Sequence, residues 1–198
     1  MSAEPEIPAH IVDAARHVLA QDGLAAATLE RISATAGVSR MTLHRHGVSK
    51  DGILRALADR LEVDYREALW PALVSKGSGG ERLREALTRI CEVTERNLGL
   101  HDALSVSARD EIYHEPGPGA LTRAVFVEPL ERLLLDGCAD GSLSRVPDTA
   151  ETATVLFNAV THTYAHLRSG HGWFAERARN GVLGLVVDGL AGPGHDRG

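Results

Sequence analysis

Apolar residues along this chain recur at spacings of three and four rather than two, the period of helices that bury one face. The pattern predicts helix in nearly every segment and no strand. The first helix follows Pro8, gathers Ile11, Ala15, Val18 and Leu19 on one side, and ends at the Asp22-Gly23 stop. Thr28 stands as the N-cap of LERISATA, whose apolar stripe is Leu29, Ile32 and Ala36, and Gly37 closes it. Ser39 caps a short third helix, RMTLHRH; Ser49 caps a long fourth, KDGILRALADRLEVDYREALW, which Pro71 is expected to terminate. Farther on, KGSGG (76–80) reads as a glycine-rich linker and EPGPG (115–119) as a second break, with one or two helices between them. In ALTRAVFVEPLERLLLDG, Pro129 removes an amide donor, so a kink is expected near the carbonyl of Val125. Two helices, about 149–168 and 173–190, complete the reading. The last carries Val182, Leu183, Leu185, Val186, Val187 and Leu190, an apolar surface that needs a cover.

Charge changes this picture by dividing the chain. Formal net charge is −6 over 198 residues, yet residues 1–50 hold five Arg/Lys against five Asp/Glu, so the acidic excess lies after residue 50. Within the early part, AGVSRMTLHRHGVSK (36–50) has three fixed positive charges, two histidines and no carboxylate. Gly37 supplies the turn, Ala36 lets two helices cross closely, and Val38 and Leu43 plug the space between them, which is the plan of a helix-turn-helix. Arg40, Met41, Thr42, His44 and Arg45 then face outward and can meet the negative field of a duplex. From the start of such a helix, Arg40 and Thr42 are placed to hydrogen-bond base edges, Arg40 favouring guanine. Met41 has two readings: contact with a thymine methyl, or packing against the first helix. Thr28, Lys50 and the first amides of the second and fourth helices sit where phosphates are held, and Ser39 and His46 complete the candidate surface.

Other chemistry is thin. Motifs of the HExxH, GxSxG, P-loop and dinucleotide-binding kinds are absent, YHEP (113–116) only brushing the first, so no enzyme and no cofactor is expected. Cys91 and Cys138 are too few and too far apart for a disulfide framework or zinc knuckle. His162 and His166 stand four apart, but two ligands do not make a metal site without His171 or an acidic group. No stretch approaches the roughly 18–20 apolar residues of a membrane span. The opening MSAEPEIPAH lacks the features of a signal peptide, so a cytoplasmic protein with no membrane partner is expected.

Residues 9–57, with TLERISATAGVSRMTLHRHGVSKDGILRAL at their centre, resemble the DNA-binding domain of the TetR (tetracycline repressor) family: the Thr-x-x-x-Ile spacing, AGVS, TL, RH and SKDG occur in order. The resemblance implies an all-α fold with a three-helix helix-turn-helix DNA-binding domain at 1–52 and a helical effector-binding and dimerisation domain at 53–198. It further implies a transcriptional repressor that binds a palindromic double-stranded operator as a homodimer, pairs through its last two helices, and is released by a small molecule. The final helix has an alternative reading, an intramolecular core. For the ligand, the resemblance points between the fourth helix and the helices of 81–168, with Trp70, Cys91, Phe126, Asn158 and His162 as candidates; each is otherwise an ordinary core or surface residue. With aromatics at 4% of the chain, an aliphatic or mixed pocket is expected. Two positions depart from the family pattern: His44 stands where tyrosine is usual, and Gly47 where phenylalanine packs the end of the recognition helix. The alternative function is therefore a ligand-binding dimer of the same fold with weakened operator binding.

Overall fold

The computed structural model describes residues 7–107 and 123–190, and within them the chain is helical with no strand. Nine α-helices are described: α1 (Ala9–Ala26), α2 (Leu29–Thr35), α3 (Arg40–Arg45), α4 (Lys50–Val74), α5 (Gly79–Arg96), α6 (Leu98–Ser107), α7 (Glu128–Asp140), α8 (Thr149–Ser169) and α9 (Ala175–Leu190). They form two compact units, residues 7–61 with 97–107, and residues 62–96 with 123–190. EPGPG lies outside the described residues.

The first unit is built around α1, whose Ile11, Ala15, Val18 and Leu19 are buried as the period of three and four requires. Gly23 sits at φ 76° and ψ 177°, so the continuous helix stops where Asp22-Gly23 predicts and one further turn follows. Ile32 of α2, Leu43 of α3, and Ile53, Leu57 and Leu61 of α4 close this core. Helix α6 joins it against α1 at a point where side chains have no room: a Cβ on Gly99 would lie 2.3 Å from the carbonyl oxygen of Leu19. Leu100 and Ala103 are buried on that face.

The second unit packs α5, α7, α8 and α9 with the latter part of α4. Two sequence expectations change here. Pro71 lies inside α4, which continues to Val74; the missing amide would have bonded the carbonyl of Glu67, an exposed residue in the last turns where water can take its place. KGSGG is only partly a linker, because Gly79 and Gly80 already belong to α5. Gly79 crosses Gly137 of α7 so closely that a Cβ would fall 2.1 Å from the Gly137 amide nitrogen. The start of α5 carries a reciprocal cap: Ser78 Oγ accepts from the Glu81 amide at 3.2 Å, and Glu81 Oε2 accepts from the Ser78 amide at 2.8 Å. Asp140 accepts from the Gly79 amide at 2.6 Å, and the Ser142 hydroxyl accepts from Gly80 at 2.8 Å. Hydrogen bonds from Ser142 and from the Gly79 amide hold the Asp140 carboxyl below its ordinary range.

The disturbance expected from Pro129 is realised as a π-helical turn over Arg123–Val127, after which α7 begins with proline in its first turn, where an amide is not needed. Helices α8 and α9 fall close to their predicted bounds. Asp148 caps α8 by accepting from the Glu151 amide at 2.9 Å.

Candidate nucleic-acid interface

The sequence contains one short unit twice: Gly37-Val38-Ser39-Arg40 and Gly47-Val48-Ser49-Lys50. Each copy ends one helix and starts the next. Gly37 (φ 68°) and Gly47 (φ 63°) occupy the left-handed region that a residue with a Cβ resists. Their amides and those of the following valines turn back on the helix: Gly37 donates to Ala34 and Val38 to Ser33, Gly47 donates to His44 and Val48 to Leu43. This is the Schellman closure, in which the residue after the glycine tucks an apolar side chain onto the helix it ends. Val48 is buried at 7% exposure and Leu43 at 1%, whereas Val38 is half-buried. Val48, next to Gly47, is thus the buried apolar residue at the end of α3. The serines then cap: Ser39 Oγ accepts from the Thr42 amide at 3.1 Å, Ser49 Oγ from the Gly52 amide at 3.0 Å, and Thr28 Oγ1 likewise from the Arg31 amide at 3.2 Å.

With Leu43 anchored, helical geometry turns most of the other side chains of α3 outward. Arg40, Met41, His44 and Arg45 are exposed, Thr42 and His46 half-buried, and Thr28, Ser39 and Lys50 lie exposed on the flanking turns. Met41 is 73% exposed, which removes the reading that packs it against α1. The Thr42 and Ser39 hydroxyls share a hydrogen bond of 2.9 Å. The surface is not free of carboxylates, however. Glu30 of α2 reaches across to Arg40, Oε1 to Nη1 at 2.5 Å, and Asp22 of α1 holds Arg31 at 3.0 Å. Counting charges within α3 missed both, because the acidic partners come from other helices.

The five residues considered for a ligand differ in burial. Trp70 and His162 are exposed, Cys91 and Phe126 are buried, and Asn158 is half-buried with its amide donating to its own helix at the Thr154 carbonyl, 2.9 Å away. Burial pushes the Cys91 thiol up to about 12, so it stays protonated at ordinary pH. What surrounds Phe126 is aromatic despite the scarcity of such residues. Its ring stacks on Phe157 at 4.7 Å and meets the edge of Tyr65 at 5.2 Å, while the Tyr65 hydroxyl pairs with Thr94 at 3.0 Å. Sequence reading also missed a polar lock between α5 and the α8–α9 turn. Arg168 grips Glu95 through Nη2 at 2.7 Å and Nε at 2.8 Å, Tyr164 donates to the same carboxylate at 2.8 Å, and Arg168 also donates to the Trp173 carbonyl. Arg177 covers the Trp173 ring at 3.9 Å. The rings of His166 and His171 meet edge to face at 4.9 Å, and no group of three metal-ligating side chains occurs among the described residues. Nor, among them, is any helix long and apolar enough to cross a membrane.

An all-helical chain that sets a short cationic helix behind a glycine turn is a helix-turn-helix protein of the DNA-binding class. Residues 11–57 match the profile of bacterial regulatory proteins of the tetR family. Over 192 residues the chain is 27% identical to the HTH-type transcriptional repressor KstR2 of Rhodococcus jostii (strain RHA1), covering 92% of this chain and 90% of the relative. A crystal structure from Rhodococcus sp., described as a TetR-family transcriptional regulator, superposes with a TM-score of 0.69 at 25% identity over 91% of this chain and 96% of that one. A gamma-butyrolactone receptor (ArpA-like protein) shares the fold with a TM-score of 0.63 at 19% identity, over 94% of this chain and 89% of the other. Residues 11–57 thus carry the pattern of the tetR family's regulatory proteins, and over nearly its whole length the chain is similar to TetR-family transcriptional regulators.

Proposed function

We propose that this protein is a cytoplasmic repressor that acts by binding and not by catalysis. Residues 1–52 form its DNA-binding domain and residues 53–198 its effector and dimerisation domain. It binds a palindromic operator as a homodimer and leaves it when a small molecule enters the second domain. The observation that carries this reading is the outward set of α3: Arg40 and Met41 project from its first turn with side chains open to solvent, on a helix fixed at both ends by capped glycine turns. Arg40 and Thr42 read base edges and Met41 touches a thymine methyl, while Thr28, Ser39, His44, Arg45, His46 and Lys50 hold phosphates and fix the register. The last two helices supply the dimer contact, for which Val155 (60% exposed), Phe174 (84%) and Leu185 (79%) stand ready as uncovered apolar groups. The similarity to a receptor for a small lactone supports an effector of modest size, taken in beside Phe126.

Fluorescence anisotropy with the duplex upstream of the protein's own gene tests the reading. Log affinity should fall linearly with log salt, by about 0.9 for each phosphate neutralised, and should exceed that for a scrambled duplex by at least about a thousandfold. Flat, micromolar binding that ignores sequence would instead identify a ligand-binding dimer whose operator affinity has decayed.

A further inference from the structure

Arg40 does not enter the proposed interface as an unengaged cation. Its Nη1 lies 2.5 Å from Oε1 of Glu30, ten residues earlier on the neighbouring helix, and the two side chains are 71% and 69% exposed. A pair so exposed adds little to folding stability, and neither side chain contributes to the core around Leu43. Its effect is on direction. A guanidinium carries five donors in a planar fork; a carboxylate bonded at one of them restrains the fork on that side and leaves another edge open. Reading guanine requires such a fixed edge, because the contact to O6 and N7 is bidentate. Binding to arbitrary sequence asks for the opposite, mobile cations that settle on whichever phosphate is nearest.

Resting on the repressor reading above, we propose that Glu30 is a specificity-determining residue. By holding Arg40 it withholds that cation from phosphates and aims it at a base edge, which lowers binding to random DNA more than binding to the operator.

The test compares wild type, Glu30→Gln, Arg40→Ala and the double variant on the upstream duplex and on a scrambled one across a salt series. Glu30→Gln should tighten binding to the scrambled duplex about fivefold and steepen its log–log salt slope by about 0.9, one further phosphate. The operator-to-scrambled ratio should fall by a similar factor. In the Arg40→Ala background the same change should leave slope and ratio unmoved. A Glu30→Gln protein that matches wild type on both duplexes overturns the inference, as does a full effect that persists without Arg40, which would mark simple loss of a repulsive charge. Wild-type protein that ignores sequence overturns the repressor reading as well, an outcome visible before any variant is made.

Discussion

Single side chains in this protein do two kinds of work, closing turns and locking one helix to another, and the Glu95 lock makes a prediction about pH. The Arg168 hydrogen bonds, assisted by that from Tyr164, hold the Glu95 carboxyl below its ordinary range against the opposing effect of burial. A carboxylate whose value is lowered in the folded state binds protons more readily when unfolded, so its stabilising contribution is complete above the usual carboxylate range. It is lost as pH falls through the lowered value. Urea denaturation across mildly acidic pH should therefore show stability declining toward acid, with the decline shallower in a Glu95→Gln protein. Identical slopes in the two proteins would show that the carboxylate is indifferent to folding. Tyr164 is affected by the same site in the opposite sense: desolvation first, then its bond to Glu95, keeps the phenol protonated well above its usual range.

At the scale of elements, what could be read from sequence was what neighbours in the chain decide. Thr28, Ser39 and Ser49 are caps because each lies within three residues of the amide it accepts from, a distance any reader of the sequence can see. The stop at Gly23 and the disturbance ahead of Pro129 are local in the same way. Pro71 misled because the cost of a missing amide depends on whether water can reach the orphaned carbonyl, and that depends on burial. Gly79 and Gly80 looked like a linker because their partners, Gly137 and Ser142, are far away along the chain. The partnership of Glu30 with Arg40 was hidden for a related reason: the face of one helix was read without the helix laid beside it. Gly79→Ala provides the corresponding test. Its Cβ would meet the backbone of Gly137, which cannot rotate aside, so α5 and α7 must separate at a cost of about 1–3 kcal/mol or more. A fall in the denaturation midpoint at unchanged m-value is the expected sign. Should the midpoint stay put, the close crossing of the two helices would be wrong.

For the molecule as a whole, the repressor reading depends on two copies presenting two recognition helices about one DNA turn apart or farther, ~34–36 Å. Leu185 on α9 is the sharpest point at which to challenge that assembly, since an apolar side chain 79% exposed contributes little to its own protomer. A Leu185→Glu protein should sediment as a monomer with its helical circular dichroism intact, and its operator affinity should drop because each half-site must then be held singly. Retention of the dimer would move the contact elsewhere and leave the uncovered apolar groups of α8 and α9 without a role.

If the second unit takes in an effector as proposed, the trio of Tyr65, Phe126 and Phe157 bears on what that effector must do. These rings, each under 8% exposed, already occupy one another's faces and edges. A guest arriving there would compete with Phe126 for its seat, and Phe126 belongs to the π-helical turn that precedes α7. Selectivity would then follow from how well the newcomer imitates a phenyl group, and the signal of its arrival would be the eviction of a residue from the protein's own interior.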